Sequence, residues 1–179
     1  MKHLYLPCKD GNLRKLRAGD YLLISGVIYT ARDQVHQKLV RLINKSQPLP
    51  LKLEKSPIYY CGPVVRRHKV ISCGPTTSSR MDKFLKVLFK NGLKITIGKG
   101  KRSSEARFLF RKYKAVYLIA PAGCGALLSR KILNSEIVAF RELGPEAIYR
   151  LEVKDFPVLV GIDAEGKDIY RRLEDDSEA

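Results

Sequence analysis

The chain has 179 residues, of which 45% are apolar and 29% charged, and its formal net charge is +16 at pH 7. This length excludes a large multidomain assembly and the composition excludes a low-complexity chain, so one domain is expected over residues 1–173. No segment has the roughly 18 consecutive apolar residues that a bilayer span requires, and the first residues lack the apolar run of a secretory signal. We therefore expect a cytoplasmic protein without a membrane contact, ending in an acidic, disordered tail at 174–179.

The excess of Lys and Arg predicts an anionic partner, which could be nucleic acid, a small anion or an acidic protein. The positive charges are spread along the chain, and no RNA-binding or zinc-finger motif accompanies them. A basic nucleic-acid-binding module is therefore an alternative interpretation that rests on net charge alone. The four cysteines are far apart and form no C-x-x-C pair, which predicts that this chain supplies no metal ligands: Cys8, Cys61, Cys73 and Cys124.

The first predicted unit is a buried strand over residues 21–29, rich in β-branched and aromatic side chains, followed by a helix. Thr30 and Asp33 have capping-box spacing, which predicts Thr30 as N-cap and places Arg32 in the first helical turn. An apolar stripe follows from Val35 onward. His36 lies off that stripe, so we expect it at the surface or in a supporting position.

Further strands are predicted at 58–60, 69–73, 94–97 and 115–119, and two more at 148–153 and 158–162. Helices are predicted after the capping-box spacing of Ser79 and Asp82, from about Ser104, and after the glycines at 123–125. Because strands alternate with helices, we expect an α/β fold: a single layered domain with a central sheet and flanking helices.

Three loops combine small or hydroxyl residues with a base where a predicted strand ends: residues 30–33, 74–80 and 98–100. Helix N-termini and the carboxyl ends of parallel strands favour anions. Arg binds a carboxylate in bidentate fashion and Lys acts as a point charge, so this set suits a small dicarboxylate or a phosphate. The spacing is not that of a Walker loop, and no Ser-His-Asp or Cys-His motif is present.

The segment Gly74-Pro75-Thr76-Thr77-Ser78-Ser79-Arg80-Met81-Asp82 resembles the GPTT-x-x-RMD signature of the β part of class I fumarases and L-tartrate dehydratases. Other matching segments run from about Gly19 to Tyr170. The resemblance implies a swivelling β/β/α domain that supplies half of a hydro-lyase site. It also implies an α subunit whose three cysteines hold a [4Fe-4S] cluster, and β–β contacts in an α2β2-type assembly.

By motif position, the resemblance implies that Arg32 and Arg80 bind the carboxylates of the substrate and that Lys99 assists. It implies Thr76 as the catalytic hydroxyl on this side of the site, with Asp33, His36 and Thr77 in support. A threonine with an ordinary pKa is a poor base, so either its surroundings activate it or it relays a proton to an acid of the partner.

The segments in which fumarases and tartrate dehydratases differ do not all resemble the same enzyme. Residues 120–125 are similar to the tartrate dehydratase version, whereas 142–148 and 153–157 are similar to the fumarase version. Fumarate and tartrate chemistry differ by one hydroxyl on the saturated acid, which a single polar contact can discriminate. The larger C-terminal match predicts fumarate and L-malate as substrates, with L-tartrate as the near alternative.

Overall fold

The structure is a computed structural model that describes residues 2–171. Within that range the strands are β1 (Lys2–Tyr5), β2 (Tyr21–Thr30), β3 (Ile58–Tyr59), β4 (Val64–Arg66), β5 (Lys69–Ser72), β6 (Ile95–Gly98), β7 (Val116–Ile119), β8 (Ile132–Ala139) and β9 (Ile148–Ile162). The helices are α1 (Asp10–Leu13), α2 (Asp33–Asn44), α3 (Asp82–Lys90), α4 (Ser104–Tyr113) and α5 (Gly125–Ser129), with short 3-10 turns at Leu53–Lys55, Ser78–Met81 and Arg141–Glu146. The acidic tail predicted at 174–179 lies outside the described residues.

The main sheet has seven strands in the order β1-β2-β3-β6-β7-β9-β8. The pairs from β1 to β7 are parallel, whereas β9 is antiparallel to β2, β7 and β8. Because β9 also pairs with β2, the strands β2, β3, β6, β7 and β9 form a closed hydrogen-bonded ring that β1 and β8 extend. A separate antiparallel hairpin, β4–β5, leads into the loop that carries the GPTT sequence.

Two apolar clusters occupy the two faces of this sheet. Leu22, Ile24 and Phe156 belong to the first, which strands dominate. In the second, Val35 of α2 and Leu85 of α3 pack with other buried side chains of the helix layer. Because a helix that follows a parallel strand runs back along the sheet, α2 and α4 begin at the carboxyl edge of the parallel strands. The α/β architecture with a central sheet and flanking helices is confirmed.

The C-terminal third corrects one prediction, because residues 148–162 form the single strand β9 instead of two strands. Asp155 and Pro157 resemble the end of a strand in sequence. Asp155 takes a positive φ of 51°, opposite a register shift in β2, and its N–H donates to Ser25 Oγ at 3.0 Å. The irregularity is therefore absorbed as a bulge inside a continuous strand.

The sequence analysis did not predict β1, α1, β4 or β8, which carry weak or mixed hydrophobic patterns. β8 lies at one edge of the sheet and most of its side chains are partly or fully exposed, so its sequence lacks the apolar run of a buried strand. Among residues 2–171, no helix is long and apolar enough to cross a membrane.

Candidate functional site

The site is built where the parallel strands of the ring end side by side. The Ala31 N–H donates to the Tyr59 carbonyl at 3.0 Å, Tyr60 N–H to Ile97 O at 2.8 Å, and Ala120 N–H to Gly98 O at 2.9 Å. These bonds align the segments that follow β2, β3, β6 and β7. The residues after these strands therefore share one edge of the sheet, as the predicted anion pocket requires.

The loop that carries the GPTT sequence, residues 74–80 and called the GPTT loop below, lies across this edge and brings Thr76 beside Lys99. Thr76 N–H donates to Tyr60 O at 2.6 Å, Lys99 N–H donates to Thr76 O at 3.3 Å, and Thr77 and Lys99 form an isolated parallel bridge. Ser78 N–H returns a bond to Lys99 O at 3.0 Å. The predicted catalytic hydroxyl and the predicted lysine are thus neighbours through their backbones. Thr77 has an exposed position in the same loop.

Only glycine fits at the end of β6. A Cβ atom built on Gly98 would overlap Ser78 Oγ and lie 2.8 Å from Tyr60 Cδ2. The glycine turn predicted at 98–100 is thus a point of close approach between β6 and the GPTT loop.

Arg80 and Asp33 connect the GPTT loop to the start of α2. Arg80 Nε and Nη2 donate to the two carboxylate oxygens of Asp33 at 3.1 and 2.5 Å, a bidentate arrangement. Burial acts to raise the pKa of Asp33, but the bond from Arg80 and the nearby arginine charges outweigh it, so that the pKa lies below its ordinary value. The same bond raises the pKa of Arg80. Asp33 therefore stays ionised and holds Arg80 in one orientation.

An open cleft of about 530 Å³ adjoins this ion pair. Its lining combines the Asp33–Arg80 pair with the starts of α3 and α4, including Asp82 and Ser103. Arg80 retains 46% of its side-chain exposure despite the pair with Asp33, so its charge is accessible to an anion in the cleft. Arg32, Thr76 and Lys99 do not line this cleft, so it accounts for only one part of the predicted site.

The start of α2 corrects the predicted capping box. Arg32, with extended backbone angles, is the N-cap residue, and the helix begins at Asp33. Thr30 is instead fully buried at the end of β2, where its hydroxyl donates to Ala147 O at 3.1 Å and accepts from Tyr149 N–H at 2.9 Å. Both hydrogen bonds of its hydroxyl are therefore made to the start of β9 and the residue before it, 117 and 119 residues away in sequence, which local spacing does not reveal.

Glu146 performs the capping role that the sequence assigned to Thr30, and the sequence analysis gave it no role in the site. Its Oε2 accepts from the Gln34 N–H at 3.2 Å, and its Oε1 lies 3.7 Å from Arg32 Nη2. A carboxylate at a helix N-terminus is favourable. Glu146 therefore both stabilises the first turn of α2 and restrains the Arg32 side chain.

The structure also corrects one of the two positions expected for His36, because the side chain is fully buried and not at the surface. Its ring packs against Tyr60 and Phe84, with centroid distances of 5.3 and 5.5 Å. Burial lowers the pKa of His36 to about 4, and the bond to the Arg32 carbonyl opposes that shift. The neutral ring therefore donates from Nδ1 to Arg32 O at 2.8 Å, which gives His36 the supporting position predicted as its other alternative.

The cysteines do not form a ligand set for an iron–sulfur cluster. Cys61 and Cys73 are buried with their sulfur atoms 3.1 Å apart, and Cys8 and Cys124 lie elsewhere in the chain as free thiols. Among residues 2–171, no group of three or more His, Cys, Asp or Glu side chains could hold a metal ion. The side chains of residues 2–171 therefore form no ready-made ligand set for a [4Fe-4S] cluster.

Comparison of the sequence with known proteins finds relatives that are named as hydro-lyases. The sequence model of the family described as Fumarase C-terminus matches residues 3–173. A protein of Methanocaldococcus jannaschii, provisionally named L(+)-tartrate dehydratase subunit beta, is 36% identical over 184 aligned positions, covering 97% of this chain and 93% of that protein. The L(+)-tartrate dehydratase subunit beta of Escherichia coli K12 is 35% identical, covering 94% of this chain and 86% of that protein.

A third similar protein has a different name and a different length. Fumarate hydratase 2 of Leishmania major is 34% identical over 164 positions, which cover 89% of this chain and 29% of that longer protein. The names of these relatives all denote hydro-lyases or their subunits, but they divide between two substrates.

Proposed function

Because the chain belongs to the Fumarase C-terminus family, we propose that it is the β subunit of a hydro-lyase whose active site is shared with an α subunit. The observation that carries this proposal is the meeting of Thr76 and Lys99 at the sheet edge where Arg32 and the Arg80–Asp33 pair also lie. Two arginines and a lysine match the two carboxylates of a small dicarboxylate. The swivelling β/β/α fold name belongs to this proposal as well.

Arg32 and Arg80 bind the two carboxylates, and Lys99 adds a point charge beside Thr76. The supporting contacts explain why these bases are held in place, since Asp33 orients Arg80 while Glu146 and His36 restrain Arg32. Because a free threonine hydroxyl has a pKa far above neutral, Thr76 serves as a relay that passes a proton between the substrate carbon and an acid or base of the partner. The reaction adds or removes one hydrogen and one hydroxyl across a carbon–carbon bond.

In this proposal the [4Fe-4S] cluster belongs to the α subunit, as the family resemblance implies, and no group of side chains within residues 2–171 competes for it. The role of the chain is thus limited to binding the substrate, orienting it and moving a proton. The same division of labour predicts that the isolated chain does not turn over substrate.

Fumarate and L-malate are the first candidate substrates. Residues 142–148 are similar to the fumarase version, and Glu146 from that segment lies against Arg32 of the site. L-tartrate is the second candidate, which the names of the two full-length relatives favour. The tartrate-like segment 120–125 also adjoins the site, because Cys73 N–H, just before the GPTT loop, donates to Gly125 O at 3.0 Å.

An exposed apolar surface beside the site is suited to the α subunit. Ile71 on β5 is 45% exposed and Leu127 on α5 is 59% exposed, and the two elements pack together where the GPTT loop begins. Large exposed apolar side chains next to an incomplete site are typical of a subunit interface. The α2β2-type assembly and the cytoplasmic location remain parts of the proposal that rest on the sequence.

The test is to coexpress the chain with its α subunit under anaerobic conditions and to compare Thr76→Ala and Arg80→Gln with the unaltered complex. We expect both variants to assemble with the α subunit. The rate with the dicarboxylate should fall at least about a hundredfold in Thr76→Ala, the usual scale for loss of a proton-transfer group, and Arg80→Gln should bind the dicarboxylate more weakly because a carboxylate-binding charge is lost. Full activity of Thr76→Ala would contradict the role given to Thr76.

A further inference from the structure

Beneath the GPTT loop lies a set of buried polar and aromatic side chains to which the proposed reaction gives no role. We propose that Tyr117 and Arg102 are positioning residues, which fix Lys99 and the GPTT loop relative to each other through Ser78, Gly100 and Asp82. This inference rests on the proposed function for its kinetic consequence, but its structural consequence can be measured without any activity.

Tyr117 connects the two loops by its hydroxyl group. The hydroxyl donates to Gly100 O at 2.9 Å and lies 2.9 Å from Ser78 Oγ. Because Tyr117 has a single hydroxyl proton, the bond to the carbonyl requires that Ser78 donates to the tyrosine oxygen. Tyr117 on β7 thus connects Gly100, which follows Lys99, to Ser78, which lies two residues after Thr76.

Burial makes this bridge hard to replace by water. Ser78 has no exposed surface, Tyr117 is 1% exposed, and burial raises the pKa of Tyr117, so the hydroxyl stays protonated. A buried hydroxyl that loses its hydrogen-bond partner is destabilising, because the free-energy cost of removing it from water is no longer offset. The bridge therefore holds both loops at a fixed separation.

Arg102 provides a second connection from the segment between β6 and α4, residues 99–103, which is called the Lys99 loop. Its Nε donates to Asp82 Oδ1 at 2.6 Å, and Asp82 Oδ2 accepts from Ser103 N–H at 2.9 Å. Asp82 also corrects a prediction, because it was expected to complete a capping box with Ser79, whereas Met81 is the N-cap of α3 and makes no side-chain cap bond. Asp82 lies two residues after Arg80, so its bonds with Arg102 and Ser103 join the end of the Lys99 loop to the RMD sequence.

The guanidinium of Arg102 is an unusual buried charge. Its side chain has no exposed surface, and within residues 2–171 its Nη1 and Nη2 atoms have no hydrogen-bond partner. The guanidinium carbon instead lies 4.8, 5.3 and 5.5 Å from the ring centroids of Tyr117, Phe110 and Tyr60. Stacking on aromatic faces offsets part of the cost of burying the charge. Because Tyr60 O also accepts from Thr76 N–H, the same cluster supports Thr76.

The test begins with hydrogen exchange on the full chain. Tyr117→Phe removes one oxygen atom and keeps the ring that Arg102 contacts. We expect backbone amides in 76–80 and 98–103 to exchange about five- to tenfold faster, the effect of losing one hydrogen bond. The matched control is Tyr59→Phe, which removes a buried hydroxyl that donates to Cys73 O at 2.6 Å. We expect that control to leave exchange at 98–103 unchanged.

The kinetic arm uses the complex with the α subunit. Because the bridge positions both Lys99, which is proposed to bind substrate, and the loop that carries Thr76, Tyr117→Phe should raise KM about fivefold and also lower kcat, whereas Tyr59→Phe should change neither. Ser78→Ala removes the other half of the bridge and should give the same shift, with no further effect in the double variant. If Tyr117→Phe does not fold, Ser78→Ala carries both measurements, with Ser56→Ala at another buried serine as its control.

Each outcome decides the inference. Exchange at 98–103 that matches the Tyr59→Phe control would overturn it, as would faster exchange with unchanged KM and kcat. If the parent complex turns over neither fumarate, malate nor tartrate, the proposed function fails, and the exchange measurement alone then decides whether Tyr117 fixes the two loops.

Discussion

Because of His36, the free energy of unfolding is expected to fall by about 2 kcal/mol when the pH falls from 7 to 5. The pKa of His36 is lowered from 6.5 to about 4 in the folded chain, chiefly because the ring is fully buried. The charge of Arg102 lowers that pKa further, whereas the bond to Arg32 O and the charge of Asp33 raise it. A folded pKa below the unfolded value means that the unfolded chain binds the proton more readily.

Stability from His36 is therefore present above about pH 6.5 and is lost as the pH falls toward 4. The difference between the two pKa values corresponds to a total of about 3 kcal/mol, and about two thirds of it is lost by pH 5. The direct assay is urea denaturation at pH 7, 6 and 5, comparing the parent chain with His36→Asn. Asparagine can still donate to the Arg32 carbonyl but does not titrate.

His36→Asn should be less stable than the parent at pH 7, because the contacts with Tyr60 and Phe84 are lost. Its free energy of unfolding should nevertheless fall by about 2 kcal/mol less than that of the parent between pH 7 and 5. His3 and His68 are exposed and present in both proteins, so they cancel in the comparison. Equal losses in the two proteins would refute the conclusion that His36 is buried in its neutral form.

Two further predictions concern the glycine of β6 and the proposed interface. Gly98→Ala should destabilise the chain by about 1–3 kcal/mol, because a Cβ atom there overlaps Ser78 Oγ. Gly11→Ala lies in α1, where a Cβ atom meets no other part of the chain, and should not destabilise it, because alanine favours a helix by up to about 1 kcal/mol over glycine. Chemical denaturation measures both, and equal effects would contradict the close approach. Leu127→Glu should abolish copurification with the α subunit, whereas Phe108→Glu, at a similarly exposed apolar residue on α4, should retain it. Retention by both variants would place the α subunit elsewhere.

The sequence was sufficient for the layers of the fold and for the positions of the bases. Strand ends and the N-termini of the following helices are local features, so the rule that places ligands at the carboxyl edge predicted that Arg32 and Lys99 share that edge, and in the structure both follow strands that end there. The resemblance to the GPTT-x-x-RMD signature supplied the specific roles that general chemistry left open. The matching family and relatives confirm that resemblance.

What the sequence missed depends on contacts between distant segments. Glu146 caps α2 across 112 residues, and Thr30 bonds Ala147 across 117, so the local capping pattern at Thr30 was misleading. His36 is polar and lies off the apolar stripe, but α2 is covered by the Tyr60 and Phe84 rings on that side. Secondary-structure patterns carry no information on which distant side chain covers a helix face.

The measurement that tests the central claim most directly is the activity of the complex purified under anaerobic conditions from cells that produce both subunits. Formation of fumarate from L-malate and dehydration of L-tartrate would be followed separately, with this chain alone as the control. We expect turnover of one of these acids only when the α subunit is present, and the faster substrate then decides between the two candidates. A chain that retains no iron–sulfur partner and a preparation that acts on neither acid would contradict the proposal that this sheet edge is half of a hydro-lyase site.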